Sequence, residues 1–321
     1  MNGLPAMDDR AHSEQRSCPA CGGVDASHWF VKHGYDHWRC TACGHGFVHP
    51  IPAMAEIAAY YAALNDGLSS DCSWSTEPRH KIVLWRRLLG AVLRGSGRGP
   101  LLDIGCGAGQ FLKLAAEEGW HDAQGIEIAP KAAAMAREAA GAHIHEGAWR
   151  DVTLAHGHFA AAAMLDVLEH DPAPGALLRQ VFDWLRPGGS LIITVPNIHG
   201  LSLRCLGSNA YVAIPPEHLS YFSRRSMERM LSRAGFSTAY HATCDIYLKE
   251  WLRFLPRRRP GAAEPPPDAL QRARYERAYR RMTGTLALHG IGALNRVLGV
   301  AGAGDQRVVI ARKPAPEQET P

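Results

Sequence analysis

The chain has 321 residues, a formal net charge of +4, 46% hydrophobic and 21% charged residues. Its length accommodates two or three domains, and the hydrophobic content is ordinary for a soluble globular protein. The charge is too mild to call for a nucleic-acid partner, and the polar start, with Asp8, Asp9 and Glu14, does not read as a secretory signal, so a cytoplasmic location is expected.

Residues 1–17 read as a disordered tail. Cys18-x-x-Cys21 and Cys40-x-x-Cys43 follow, with 18 residues between the pairs and a glycine, Gly22 or Gly44, after each. Eight cysteines in a reducing compartment argue against a disulfide framework. Two such knuckles instead present four thiolates tetrahedrally, the arrangement of structural zinc. Four protein ligands leave no position for water, so the metal is read as structural. His37, His45 and His49 lie nearby and are expected to face solvent. Cys72, Cys106, Cys205 and Cys244 are isolated and read as small apolar fillers. Aromatic and basic residues are not clustered in residues 18–50, which favours covering or packing over reading nucleic acid.

Asn65 to Pro78 is rich in Ser, Asp and Gly and reads as a loop. A helix follows, Arg79 to Leu93, carrying Ile82, Val83, Trp85, Leu88, Leu89 and Val92, before Gly95, Gly97 and Gly99 break the chain. Next, Leu101 to Leu112, LLDIGCGAGQFL, reads strand, tight turn, helix. Glycine is needed where the backbone takes positive φ or lies against a ligand. A dinucleotide fingerprint would place its third glycine one position later, where Gln110 stands, and no Lys-Ser or Lys-Thr follows as in nucleotide triphosphatases. Asp103 at the strand tip points instead to a ligand with a cationic group. The next strand, Ala123 to Ile128, ends on Glu127, which can chelate ribose hydroxyls. Ribose plus a cationic amino-acid moiety is S-adenosylmethionine.

Asp103-x-Gly105-x-Gly107-x-Gly109 with Glu127 resembles the first two motifs of class I S-adenosylmethionine-dependent methyltransferases. The resemblance implies a doubly wound, seven-stranded Rossmann-like α/β sheet with an antiparallel seventh strand, plus a small amino-terminal zinc ribbon. It implies a cofactor site of Asp103, Gly105, Cys106, Gly107, Gly109, Glu127, Ile128 and Asp166. Pro130 to Ala140 reads as a helix and His143 to His145 as a short strand. The acid that usually meets adenine is replaced by Glu146-Gly147-Ala148-Trp149, leaving backbone amides and Trp149 as candidates. The fourth strand, Phe159 to Leu165, has Ala160 where an acid is common. It leads into Asp166-Val167-Leu168-Glu169-His170, similar to the segment that lies beside the transferred methyl. A helix over Pro174 to Leu185, the turn Arg186-Pro187-Gly188-Gly189 and the strand Ser190 to Val195 complete the fifth unit. Val195-Pro196-Asn197 is not the Asn/Asp-Pro-Pro-aromatic signature of many amino-methylating enzymes, which shifts weight to oxygen or carbon acceptors.

The stretch RCTACGHGFVHPIPAMAEIAAYYAAL, with Pro50, Pro52, Tyr60 and Tyr61, resembles the zinc module of a subgroup that includes sugar C-methyltransferases. Pro215-Pro216-Glu217-His218-Leu219-Ser220-Tyr221-Phe222-Ser223 is similar to a segment that lies over the active site in that subgroup. Removing a proton from an oxygen or carbon acceptor calls for a base near neutral pKa. His218 and His170 are the candidates, with Tyr221 as helper and Glu169 as orienting acid; a capping or carbonyl-satisfying role for His218 stays open. Arg224 to Arg233 reads as a helix, Thr238 to Ile246 as the sixth strand and Gln306 to Arg312 as the seventh.

The expected partition is a zinc ribbon over 18–50, a linker and helical cap over 51–98, and a cofactor-binding core over 99–246. A helical insertion or lid over 247–305, the final strand over 306–313 and a disordered tail over 314–321 complete it. Leu255 to Pro267 reads as a loop and Ala269 to Met282 as a charged helix. Thr283 to Val300 is too polar and short to span a bilayer; Arg257, Arg258 and Arg259 leave membrane-surface contact as a minority reading. The expected partner is a small-molecule or sugar-type acceptor, and oligomeric state is not legible. Two rivals remain: an RNA methyltransferase with the ribbon as reader, and a binding scaffold without chemistry.

Overall fold

A computed structural model describes residues 16–67, 79–120, 122–246 and 297–315. Cys72, the loop over 255–267, the helix over 269–282, the three arginines at 257–259 and most of the 283–300 stretch lie outside these residues. β1 (Ala26–Lys32) and β2 (Tyr35–Cys40) pair antiparallel. His33 and Gly34 close the hairpin with φ of 50° and 84°, the backbone twist that a two-residue turn requires. β3 (Gly46–Val48) adds to β2.

α1 (Met54–Gly67) runs three residues into the segment expected to be a loop, since the Ala-rich sequence before Asn65 propagates the helix. α2 (Arg79–Ser96) buries Trp85, Leu88, Leu89 and Val92, spaced to line one helical face. The alternating units follow: β4 (Leu101–Ile104), α3 (Gln110–Glu117), β5 (Ala123–Glu127), α4 (Pro130–Ala140), β6 (His143–Glu146) and β7 (Phe159–Leu165). α5 (Pro174–Trp184) leads directly into β8 (Leu185–Pro196), which starts before the expected Ser190. Phe159 pairs with Leu185 and Ala161 with Ser190, so a register shift absorbs the Pro-Gly-Gly segment within the strand. α6 (Leu201–Leu206), β9 (Ser220–Tyr221), α7 (Arg224–Arg233), β10 (Ser237–Cys244) and β11 (Gln306–Arg312) complete the described chain.

The larger sheet has the order β10-β11-β8-β7-β4-β5-β6. β4 to β8 are parallel, and β11 is antiparallel to β8 and β10, as the fold requires. β7, FAAAAML, is buried along nearly its whole length, the signature of a parallel strand covered on both faces. One apolar cluster packs Phe159 and Met164 with Leu177, Val181 and Trp184; another packs Ala161 and Ala163 with Trp85, Leu89 and Phe111. Burying each large side chain contributes roughly 1.5 to 3 kcal/mol, so the sheet is held by its own layers. Ala160 is fully buried in the second cluster.

The smaller sheet has the order β1-β2-β3-β9. Its fourth strand comes from far along the chain: Gly46 pairs with Tyr221 and Phe47 with Ser220. Ser223 Oγ donates to Cys43 O at 2.8 Å while also capping α7, and the Val48 amide donates to Leu219 O at 3.0 Å. This pairing corrects the expectation for two histidines. His37 and His45 are both fully buried, His37 stacked on Phe30 at 4.3 Å and His45 between Phe47 and Phe222. The local sequence gives no sign of it, because the cover arrives from residues 221 and 222. Among the described residues no helix is long and apolar enough to cross a membrane.

Candidate active site

β4 carries Asp103 to the carboxyl edge of the sheet, and the loop after it turns through Gly105, Gly107 and Gly109, at φ of 69°, 53° and 79°. A Cβ at Gly105 would stand 2.6 Å from Val167 Cγ2, and one at Gly109 2.9 Å from the Ala136 backbone, so no larger residue fits either place. The amides of Gly105 and Cys106 donate to Ile126 O, tying the loop to β5. Glu127 Oε2 accepts from the Gly107 amide and Oε1 from the Ala129 amide, both at 2.8 Å. Asp103 and Glu127 are 2% and 6% exposed. Burial, then the charge of Glu127, pushes Asp103 well above the usual carboxylate range; burial pushes Glu127 up against its amide donors. Two desolvated acids side by side are costly unless a cation and hydroxyl donors arrive. The donor set therefore fits a ligand with an ammonium, a sulfonium and a ribose diol.

The remaining expected cofactor contacts differ in kind. Cys106 is buried, its thiol raised by desolvation, and packs where a Cβ on Gly125 would lie 2.6 Å away. Ile128 is 60% exposed at the rim. Trp149 gives its indole N–H to Asp171 Oδ2 at 2.5 Å while Arg150 binds Oδ1 at 2.7 Å, so this indole is held within the protein. Asp166, at φ 58°, has its carboxylate filled from the chain: Thr194 Oγ1 at 3.0 Å, Gln306 Nε2 at 2.7 Å and Lys81 Nζ at 3.2 Å. Lys81, Gln306, Arg150 and Asp171 carry no motif and were not foreseeable singly.

Beyond β7, Glu169, His170 and His218 come together. The His170 and His218 rings meet edge to face at 4.7 Å. His218 Nδ1 lies 2.8 Å from Val212 O; His170 Nδ1 lies 2.8 Å from Glu217 O and 3.0 Å from the Tyr61 hydroxyl. A carbonyl only accepts, so Nδ1 carries the proton in each ring and Nε2 the lone pair. Burial, then the charge of His170, lowers His218 to about 4, below the near-neutral value expected of the base, so the free ring is neutral and a weaker base than the sequence implies. Glu169 is 1% exposed and pushed up by burial and by Asp166; its Oε1 is 3.8 Å from His170 Nε2 and its Oε2 has no hydrogen-bond partner. The amides of Leu219 and Ser220 both donate to Glu169 O, and the Tyr60 hydroxyl donates to Glu217 Oε2 at 2.8 Å. The Tyr60-Tyr61 pair thus clamps the two histidine segments from α1.

Tyr221, expected as a catalytic helper, is placed otherwise. Its ring is fully buried, its phenol is raised by burial, and its hydroxyl meets His37 Nε2 and His218 O, each at 3.3 Å. The hydroxyl is turned to the ribbon and to the backbone of His218 rather than to its imidazole, because β9 pairing fixes which face Tyr221 presents.

In the ribbon, one sulfur from each of Cys18, Cys21, Cys40 and Cys43 lies within 4.8 Å of the others. Cys18 and Cys43, and Cys21 and Cys40, have Sγ···Sγ distances of 3.6 Å. A tetrahedral zinc with bonds of about 2.3 Å keeps its sulfurs about 3.8 Å apart, so the donor set fits that ion. Of the isolated cysteines, Cys106 is buried and Cys244 half-buried as fillers should be, whereas Cys205 is exposed.

Residues 79–241, 163 of the 321, match the family described as a methyltransferase domain. The chain is similar to the ubiquinone biosynthesis O-methyltransferases of Aromatoleum aromaticum and Thiobacillus denitrificans, 25% identical over 151 and 154 residues. Each alignment covers 43% of this chain and 64% of the relative, so the match spans a little under two thirds of those proteins. Among solved structures, the 4+2 cyclase SpnF superposes with a TM-score of 0.53 at 18% identity, over 83% of this chain and 99% of that one. That likeness is one of fold.

Proposed function

The chain belongs to the methyltransferase-domain family, and from that premise we propose that it is an S-adenosylmethionine-dependent methyltransferase acting on an oxygen or carbon of a small-molecule or sugar-type acceptor. S-adenosylmethionine supplies, when bound, a methyl group already activated on a sulfonium. Asp103 and Glu127 would hold its ammonium and ribose groups, over a loop that Gly105, Gly107 and Gly109 keep clear of side chains. Asp166, fixed by Lys81, Thr194 and Gln306, shapes the wall between cofactor and acceptor.

The observation that carries the acceptor half is the orientation of His218. With Nδ1–H given to Val212 O, the neutral ring keeps an Nε2 lone pair for the acceptor's proton as the methyl arrives. His170 stands beside it and orients the acceptor, with Glu169 beneath. Holding the nucleophile about 3 Å from the methyl supplies much of the acceleration. The two relatives named as O-methyltransferases support an oxygen acceptor.

The four cysteines would hold a structural zinc, in a module over 18–50 whose sheet borrows β9 from the core. Titration calorimetry with S-adenosylmethionine tests the first half of the reading, expecting saturable binding that Glu127→Ala weakens. Transfer of isotopically labelled methyl to a copurifying or supplied acceptor tests the second. No saturable binding, or equal binding by the variant, would overturn the assignment.

A further inference from the structure

The three side chains at the acceptor face have a geometry that proton transfer alone does not use. Glu169 Oε2 is buried without a hydrogen-bond partner, on a side chain 1% exposed. A buried carboxylate oxygen in that state is costly, and its side chain stands beside two imidazoles. Both rings turn Nδ1 to a backbone carbonyl, Glu217 O and Val212 O, at 2.8 Å. Metal-binding histidines are fixed in this way, with the outer N–H bonded to a carbonyl and the inner nitrogen directed at the ion. One ligand atom from each of Glu169, His170 and His218 lies within 4.8 Å of the other two. His170 Nε2 is 3.8 Å from Glu169 Oε1, too far for a hydrogen bond. It is close to the roughly 3.4 Å that separates two ligands of a tetrahedral ion with bonds of about 2.1 Å.

We propose that Glu169, His170 and His218 bind a divalent transition-metal ion, at a second site distinct from the four thiolates. Two imidazoles and one carboxylate suit Zn²⁺, Co²⁺ or Fe²⁺ rather than Mg²⁺ or Ca²⁺, which prefer all-oxygen shells. The ion takes the Nε2 lone pair of His218. It therefore competes with the acceptor's proton for the same nitrogen, and the metal-loaded protein lacks its base. That inhibition, though not the binding, rests on the functional reading above.

Cobalt is the probe, added to full-length protein that already holds zinc, with zinc release followed by elemental analysis. The expected result is one Co²⁺ bound per chain with no zinc released and no thiolate-to-cobalt absorption. Glu169→Gln and His170→Gln should each weaken Co²⁺ binding by about tenfold or more, as loss of a ligand does, with far-ultraviolet circular dichroism unchanged. Cobalt uptake matched by zinc release, no uptake at all, or affinity in both variants equal to that of the parent protein would overturn the site. S-adenosylmethionine titrations on the same samples keep the two ideas apart. A protein that binds cobalt as described but not the cofactor retains the site and loses the methyltransferase reading.

Discussion

The two sheets of this molecule are stabilised by different means. The seven-stranded sheet is buried on both faces by helices and by large residues such as Trp85, Phe111, Trp184 and Met164. The four-stranded sheet exposes or half-exposes most of β1, and its fully buried positions include Cys18, Cys40, Cys43, His37 and His45 rather than a layer of aliphatic residues. A module of some 30 residues cannot bury enough apolar surface to fold alone, so a metal and a docking partner must take over. The larger sheet is held by apolar area, whereas the smaller one gathers four cysteines at its base and completes its edge with two residues, Ser220 and Tyr221, from far along the chain.

The sharpest way to break this contrast is to remove a thiolate. Cys40→Ser should lose zinc and unfold residues 18–50 locally, since metal binding supplies most of the folding free energy of so small a module. Hydrogen exchange should rise in 18–50 and 212–223, while β4, β5 and β7 stay protected and S-adenosylmethionine still binds. Equal exchange in 212–223 would show that β9 stands without the ribbon.

His218→Ala comes next, with turnover expected to fall by about 100 to 10,000-fold, as for a lost general base, at nearly unchanged cofactor affinity. His170→Ala should act more on acceptor affinity. Because burial lowers His218 to about 4, the acid limb of kcat/KM should lie near pH 4 rather than near the ordinary imidazole value. The same shift affects stability. Between the ordinary pKa and about 4 the unfolded chain binds a proton that the folded site refuses, so stability falls as pH drops through that window. An acid limb at the ordinary value would place the base elsewhere.

On the other side, Glu127→Ala should cost the charged hydrogen bonds of the ribose, roughly 1.5 to 3 kcal/mol or about 10 to 150-fold in affinity, with zinc content unchanged. The smallest effect is expected at the joint itself. Tyr221→Phe removes one buried hydroxyl between His37 and His218 O and should destabilise by about 1 kcal/mol in thermal unfolding, leaving the pH profile of the cofactor step alone. A much larger drop in turnover than in stability would return Tyr221 to the chemistry.

What could be read from the sequence follows the same division. The glycine loop, Glu127 and the cysteine knuckles are local patterns, each complete within a few residues, and the structure assembles them at one strand edge and in one sulfur cluster. β9 is two residues long and pairs with a strand far away in the chain, so neither its existence nor the burial of His37 and His45 beneath it has a periodicity to detect. The same holds for the clamp of Tyr60 on Glu217 and Tyr61 on His170, where the tyrosines were visible only as a pair. For Tyr221 the sequence shows a hydroxyl near a base, whereas the direction of that hydroxyl, toward His37 and the His218 carbonyl, depends on the β3–β9 pairing and has no local signal.

The borrowed strand also sets an order of events during synthesis. Cys18 to Val48 leave the ribosome first, yet the edge of β3 remains open until Ser220 and Tyr221 have been made. At about 5 to 20 residues per second, the intervening chain takes roughly 10 to 35 s to appear. Throughout that interval the nascent ribbon exposes an unpaired strand edge, the kind of surface that invites pairing with the wrong chain. A structural zinc captured early by the four cysteines, as proposed above, would let the half-built sheet wait for its last strand.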